Sequence, residues 1–116
     1  MPLKLENQKI PSAALHHEVL KAAFKVRVKH WAVKLEVCYT WLGIRRMHNK
    51  WASCSTLGTL NFSEELLPLS SDLQDYVIVH ELLHFSIPNH GKLWKSLMRA
   101  HLGDYEALQV KLNSMT

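Results

Sequence analysis

The sequence predicts an α+β fold. A long stretch of helical periodicity opens the chain, a run of strand-formers and turn residues fills its middle, and capped apolar helices close it. At 116 residues the chain is expected to be one domain, long enough to bury a real core. Hydrophobic content of 47% and charged content of 21% are those of a soluble globular protein.

Each element follows from local pattern. Residues 2–10 are short and mixed, either a strand or an unanchored end. Pro11-Ser12 reads as a helix entry with Ser12 as N-cap, and Leu15, Val19, Ala22, Ala23 and Val26 keep helical spacing that Trp31 and Leu35 continue. One long helix is expected over 13–35, with a bend near the β-branched Val26-Arg27-Val28. His16, His17 and His30 lie along it with no motif around them, and read as surface residues.

Between Glu36 and Phe62 the pattern changes to strand-formers broken by Gly43, Asn49-Lys50 and Thr56-Leu57-Gly58. Three strands are expected, at 37–47, 50–54 and 58–62, in a small antiparallel-rich sheet. A short helical turn at 63–67 is closed by Pro68. Ser71-Asp72-Leu73-Gln74 reads as a capping box opening a helix over 72–86. After Gly91, Leu93, Trp94, Leu97, Met98 and His101 mark an amphipathic helix that stops at Gly103. Asp104 then caps a last helix holding Tyr105, Leu108 and Leu112.

The chemistry concentrates in the capped helix, at His80-Glu81-Leu82-Leu83-His84. Histidines four apart share one helix face, so both imidazoles reach one metal ion. Glu81 projects about 100° round the helix from His80, where a carboxylate can hold a water at that metal. From Tyr76 to Phe85 every other residue is apolar, so the three polar side chains sit in or beside a core and need partners. Pro88 prevents the helix from running much beyond Ile87, and Pro88-Asn89 can turn the chain back. His90, six residues after His84, is the natural third ligand. The spacing matches the metzincin set, except that Ile87 replaces its glycine; Asn89 in a left-handed conformation would make that glycine unnecessary. Glu106, on the last helix, is the alternative third ligand of a gluzincin-like site; the His90-Gly91 context favours His90.

The remaining composition sets boundaries. No apolar run approaches a membrane span, and no membrane partner is expected. Met1-Pro2-Leu3-Lys4 lacks the apolar stretch of a secretory signal. Cys38 and Cys54 read as reduced, buried thiols of a cytoplasmic protein. Net charge is +4, with ten Lys/Arg against three Glu in residues 1–60 and four Lys/Arg against seven Asp/Glu in 61–116. The basic half suits nucleic acid or an acidic substrate, and equally a solvated helix face.

Three stretches together resemble a known family. Arg46-Met47-His48-Asn49-Lys50-Trp51-Ala52-Ser53-Cys54-Ser55 with Gly58-Thr59-Leu60-Asn61 is similar to the R…RWGSCS…G…I.LN signature of YgjP-type metal-dependent hydrolases. Asp75-Tyr76-Val77-Ile78-Val79-His80-Glu81-Leu82-Leu83-His84 resembles that family's DYVIVHELAH helix, and Asn89-His90-Gly91-Lys92-Leu93-Trp94 its NHSxxFW element. The likeness runs from about residue 30 to 100. Lys50 stands where the family usually carries Arg, and Ala52 where it carries Gly. The chain looks like a trimmed version of the family's domain at its N-terminus. The resemblance implies a compact zincin fold related to SprT-like and minimal gluzincin domains, with His80, His84 and His90 as zinc ligands and Glu81 as general base.

The function expected on this reading is a zinc-dependent peptidase acting on peptides or proteins. Gly58–Phe62 is the candidate edge strand for substrate, and His101 or Tyr105 is a candidate to stabilise the oxyanion. Two other classes compete: a DNA-associated SprT-like protease or nucleic-acid-binding zinc module, suggested by the basic first half, and a catalytically idle zinc-stabilised interaction domain, which the intact Glu81 argues against. The oligomeric state is not legible.

Overall fold

A computed structural model describes residues 12–87 and 89–115. In chain order the elements are α1 (Ser12–Leu35), β1 (Trp41–Arg45), β2 (Ala52–Cys54), β3 (Thr59–Ser63), a 3₁₀ turn (Glu64–Leu66), α2 (Ser71–Leu83), α3 (Lys92–Leu102) and α4 (Tyr105–Asn113). Helices therefore flank a small sheet, as the pattern predicts. The expectation for residues 2–10 and the stop at Pro88 lie outside the described residues.

α1 runs unbroken and includes Ser12 as its first helical residue, so Ser12 is not the N-cap. Its end is a Schellman arrangement: Glu36 takes φ 57°, its N–H bonds the Val33 carbonyl, and the Val37 N–H bonds the Ala32 carbonyl. A non-glycine residue in that region costs on the order of 1 kcal/mol, which the two carbonyl bonds and the packing of α1 offset. The same cap explains why β1 begins at Trp41 and not at Val37. Residues 36–40 form the exit from the helix, which also leaves Cys38 exposed, contrary to the expectation of a buried thiol.

The sheet order is β1-β3-β2, with β1 parallel and β2 antiparallel to β3. Hence β3 is the central strand, and the expectation that Gly58–Phe62 offers a free edge to substrate is wrong. Its backbone groups are paired on both sides. β2 is the edge strand that lies against α2. Leu60 and Phe62 are fully buried on one face of β3, and the Phe62 ring meets Phe24 of α1 edge-on at 5.1 Å. Ala52 and Cys54 are register partners of Phe62 and Leu60, so they share that inner face.

α2 is the centre of the packing. Leu73, Tyr76, Val77, Ile78, Val79, Leu82 and Leu83 are all buried, and the helix touches α1, α3, α4 and β2. That all-round burial is what an almost wholly apolar helix requires. Its start differs from the expected capping box. Ser70 is the N-cap, and the Gln74 side chain donates to the carbonyls of Leu66 and Leu67 instead of reaching back to its own helix start. This clips α2 to the 3₁₀ turn. The α-helix ends at Leu83, three residues before expectation, because the His84, Phe85 and Ser86 N–H groups bond three residues back, to Glu81, Leu82 and Leu83. α3 stops at Gly103 (φ 68°), and Asp104 caps α4 by accepting from the Ala107 N–H, both as expected.

Candidate metal centre

The tightened turn after α2 delivers His90 to the face that carries His80 and His84. One ligand atom from each of the three histidines lies within 4.8 Å of the others. His90 Nε2 is 3.0 Å from His84 Nε2. Two nitrogens bound tetrahedrally at 2.0–2.1 Å would stand roughly 3.3 Å apart, so this close approach is near the spacing a shared ion needs. Three imidazole nitrogens are a donor set suited to zinc and poorly suited to magnesium or calcium. The His84 Nδ1 lies 3.3 Å from the Ile87 carbonyl, a contact that holds the ring with Nε2 facing the cluster. Burial, then the proximity of His80 and His84, pushes the His90 pKa down, which keeps its ring neutral and able to ligate.

The approach of His90 depends on Asn89 and Gly91. The Gly91 N–H donates to Asn89 Oδ1 at 2.9 Å, and a Cβ on Gly91 would stand only 2.8 Å from that oxygen. The φ angle of Asn89 involves Pro88, so the left-handed conformation expected of it lies outside the described residues; its side-chain-to-backbone bond holds the turn that presents His90.

Trp94, from the first turn of α3, is the floor of the cluster. Its ring centroid lies 4.4 Å from His90, 5.1 Å from His80 and 6.1 Å from His84, the last nearly parallel. It is itself buried and backed by Tyr105, ring to ring at 5.9 Å. A rigid aromatic plate under three imidazoles restricts their rotation before any ion arrives.

Glu81 sits beside the cluster with its Oε2 at 3.1 Å from His80 Nδ1. It lines a cleft of about 280 Å³ together with His80, Tyr76, Trp51, Ala52 and Gln109. Two neighbours respond to it. Burial, and then the Glu81 carboxylate, pushes the Cys54 thiol pKa up, so the thiol stays protonated and serves as a donor to that carboxylate. Burial, with Tyr105 and Glu81 adding, pushes the Tyr76 hydroxyl up to about 12. A larger cavity, about 520 Å³ between α1 and residues 67–74, contains none of these groups.

The other sequence candidates lie elsewhere. Glu106 is in an exposed ion pair with Arg99 at 3.0 Å, apart from the histidines. His101 packs edge-on against Trp31 at 6.0 Å, and Tyr105 is buried behind Trp94 with Arg99 over its ring. Sequence reasoning missed Tyr76, although its position one turn before His80 was a usable signal. It missed Cys54 and Asp75 too, which no local spacing marks.

Comparison with known proteins agrees with this geometry. The crystal structure of the metallopeptidase zymogen jannalysin from Methanocaldococcus jannaschii superposes with a TM-score of 0.67 at 27% identity, over 79% of this chain and 93% of that one. No curated protein sequence matches. A three-histidine cluster with an adjacent glutamate, borne on this arrangement of helices and mixed sheet, defines a zincin-like metallopeptidase domain. The chain belongs to the YgjP-like family, whose metallopeptidase-domain model matches residues 4–115. It is a metal-dependent peptidase domain.

Proposed function

We propose that the metal is zinc, that His80, His84 and His90 hold it, and that Glu81 is the general base in hydrolysis of peptide bonds by a single catalytic domain. The observation that carries this reading is the convergence of three imidazoles beside one carboxylate on a cleft wall. Zinc bound there supplies Lewis acidity and brings the pKa of a water towards about 7. Glu81 accepts the proton of the attacking water and passes it to the leaving amine. The protonated Cys54 thiol stands beside the Glu81 carboxylate as a neighbour able to donate to it. The Tyr76 hydroxyl, on the wall of the same cleft, keeps its proton throughout the working pH range. It donates to the carbonyl oxygen as charge develops there.

Substrate is an extended segment of peptide or unfolded protein. β2 is a sheet edge beside this cleft, and no described strand pairs with its outer side, so an extended chain can add to it. The two free cysteines, one of them exposed, suit a reducing compartment such as the cytoplasm. The test is Glu81→Gln, which keeps the shape and removes the base. Zinc content and folding should match wild type, while cleavage of unfolded casein falls at least about 10²-fold. Normal zinc content with undiminished cleavage would sink the assignment.

A further inference from the structure

α1 is apolar on two opposite faces. One face carries Phe24, Val28, Trp31 and Ala32 into the core. On the other, Leu15, Val19, Val26 and Val33 are 54%, 57%, 70% and 71% exposed. The second stripe runs about 27 Å along the helix at 1.5 Å per residue. None of residues 12–23 is fully buried, although Leu20 on the inner side packs against the core. A helix with a second apolar face that no described element covers is built to meet something.

The charges beside the stripe indicate what. Residues 12–35 carry five Lys/Arg and one Glu, a net +4 equal to that of the entire chain. Lys25 and Lys29 flank the stripe on one side and Lys34 on the other. Among the described residues none of these three is in an ion pair, Lys34 lying over the Trp31 ring. Glu18, the one acid, already faces Lys21 at 3.9 Å.

We propose that this outer face of α1 lies on an anionic lipid surface, valines and leucine in the acyl boundary and lysines on the headgroups. Apolar residues flanked by lysines are the composition of an interfacial helix. The opposite, core-bound face keeps the catalytic body above the lipid. A second copy of this chain fits less well. Leu15, Val19, Ala22, Val26, Lys29 and Val33 alternate at four and three residues, so a self-paired seam would bury Lys29 and oppose lysine rows of like charge. A nucleic acid would use the lysines and gain nothing from the valines. That no described helix is long and apolar enough to cross a membrane does not bear on a helix that lies along one.

The experiment is flotation of the full chain with phosphatidylcholine vesicles, neutral or containing about one-third phosphatidylglycerol. Capture by the anionic vesicles should exceed capture by neutral ones by at least about tenfold and weaken as salt rises. Val19→Glu/Val26→Glu, both on the outward face, should abolish it with the melting temperature unchanged. Lys25→Gln/Lys29→Gln should remove the preference for anionic lipid, and decides the question should the valine pair fail to fold. No capture by anionic vesicles overturns the proposal, as does capture that survives the valine pair, or a preference for anionic lipid that survives the lysine pair, in a folded protein. Dimerisation without lipid that the valine pair abolishes would assign the face to a second copy. Binding to duplex DNA that survives the valine pair, without vesicle capture, would assign the lysines to nucleic acid.

Discussion

The Trp31 indole N–H donates to Asp75 Oδ1 across 2.8 Å, joining α1 to α2 five residues before His80. The same oxygen receives Arg27 Nη1 at 3.4 Å. One carboxylate thus sets how the long helix lies against the helix that bears the histidines.

Removing that acceptor leaves a buried indole N–H without a partner. Asp75→Ala should therefore cost about 1–3 kcal/mol in urea unfolding, and Asp75→Asn, which keeps an acceptor, less. Equal stability of Asp75→Ala and wild type would mean that water replaces the carboxylate at no cost.

Zinc that binds the folded chain must stabilise it by mass action. Melting temperature should rise with free zinc and fall after chelation and dialysis. His90→Ala should lose both metal and this response, whereas Glu106→Ala should keep both. Metal loss confined to Glu106→Ala would reverse the ligand assignment.

Tyr76→Phe removes only the hydroxyl and leaves the ring against His80. Loss of a single donor to a developing oxyanion lowers kcat by roughly 10²–10³-fold. Zinc content, melting temperature and KM should stay near wild type. An unaltered kcat would leave Tyr76 a packing residue only, without touching the role of Glu81.

The Ser70 hydroxyl donates to Asp72 and holds its carboxyl below the usual carboxylate pKa, with the Leu73 N–H adding to this. A pKa lowered on folding means that the unfolded chain binds the proton more readily. The associated stability is present above the ordinary carboxylate range and is lost as pH falls through the lowered value. Ser70→Ala should move the Asp72 titration, followed by carbon NMR, upward towards the ordinary value. No movement would show that the hydroxyl does not act on the carboxylate in solution.

What the sequence determined by itself is local. His80, Glu81 and His84 are placed by the 3.6-residue period and the capped apolar run around them, and His90 by the short turn that follows. Helix ends at Gly103 and Asp104 were legible because a cap is made by residues next to it in sequence. The tertiary structure decided whatever depends on contacts far along the chain. It put β3 between β1 and β2, because strand order follows from which apolar faces find each other and not from strand composition. It separated Glu106 from the histidines and gave it to Arg99. It brought Cys54 of the sheet to Glu81, and Asp75 to Trp31 across 44 residues. It also divided the apolar residues of α1 between core and solvent. Helical periodicity marks which residues share a face; only packing determines which face is covered.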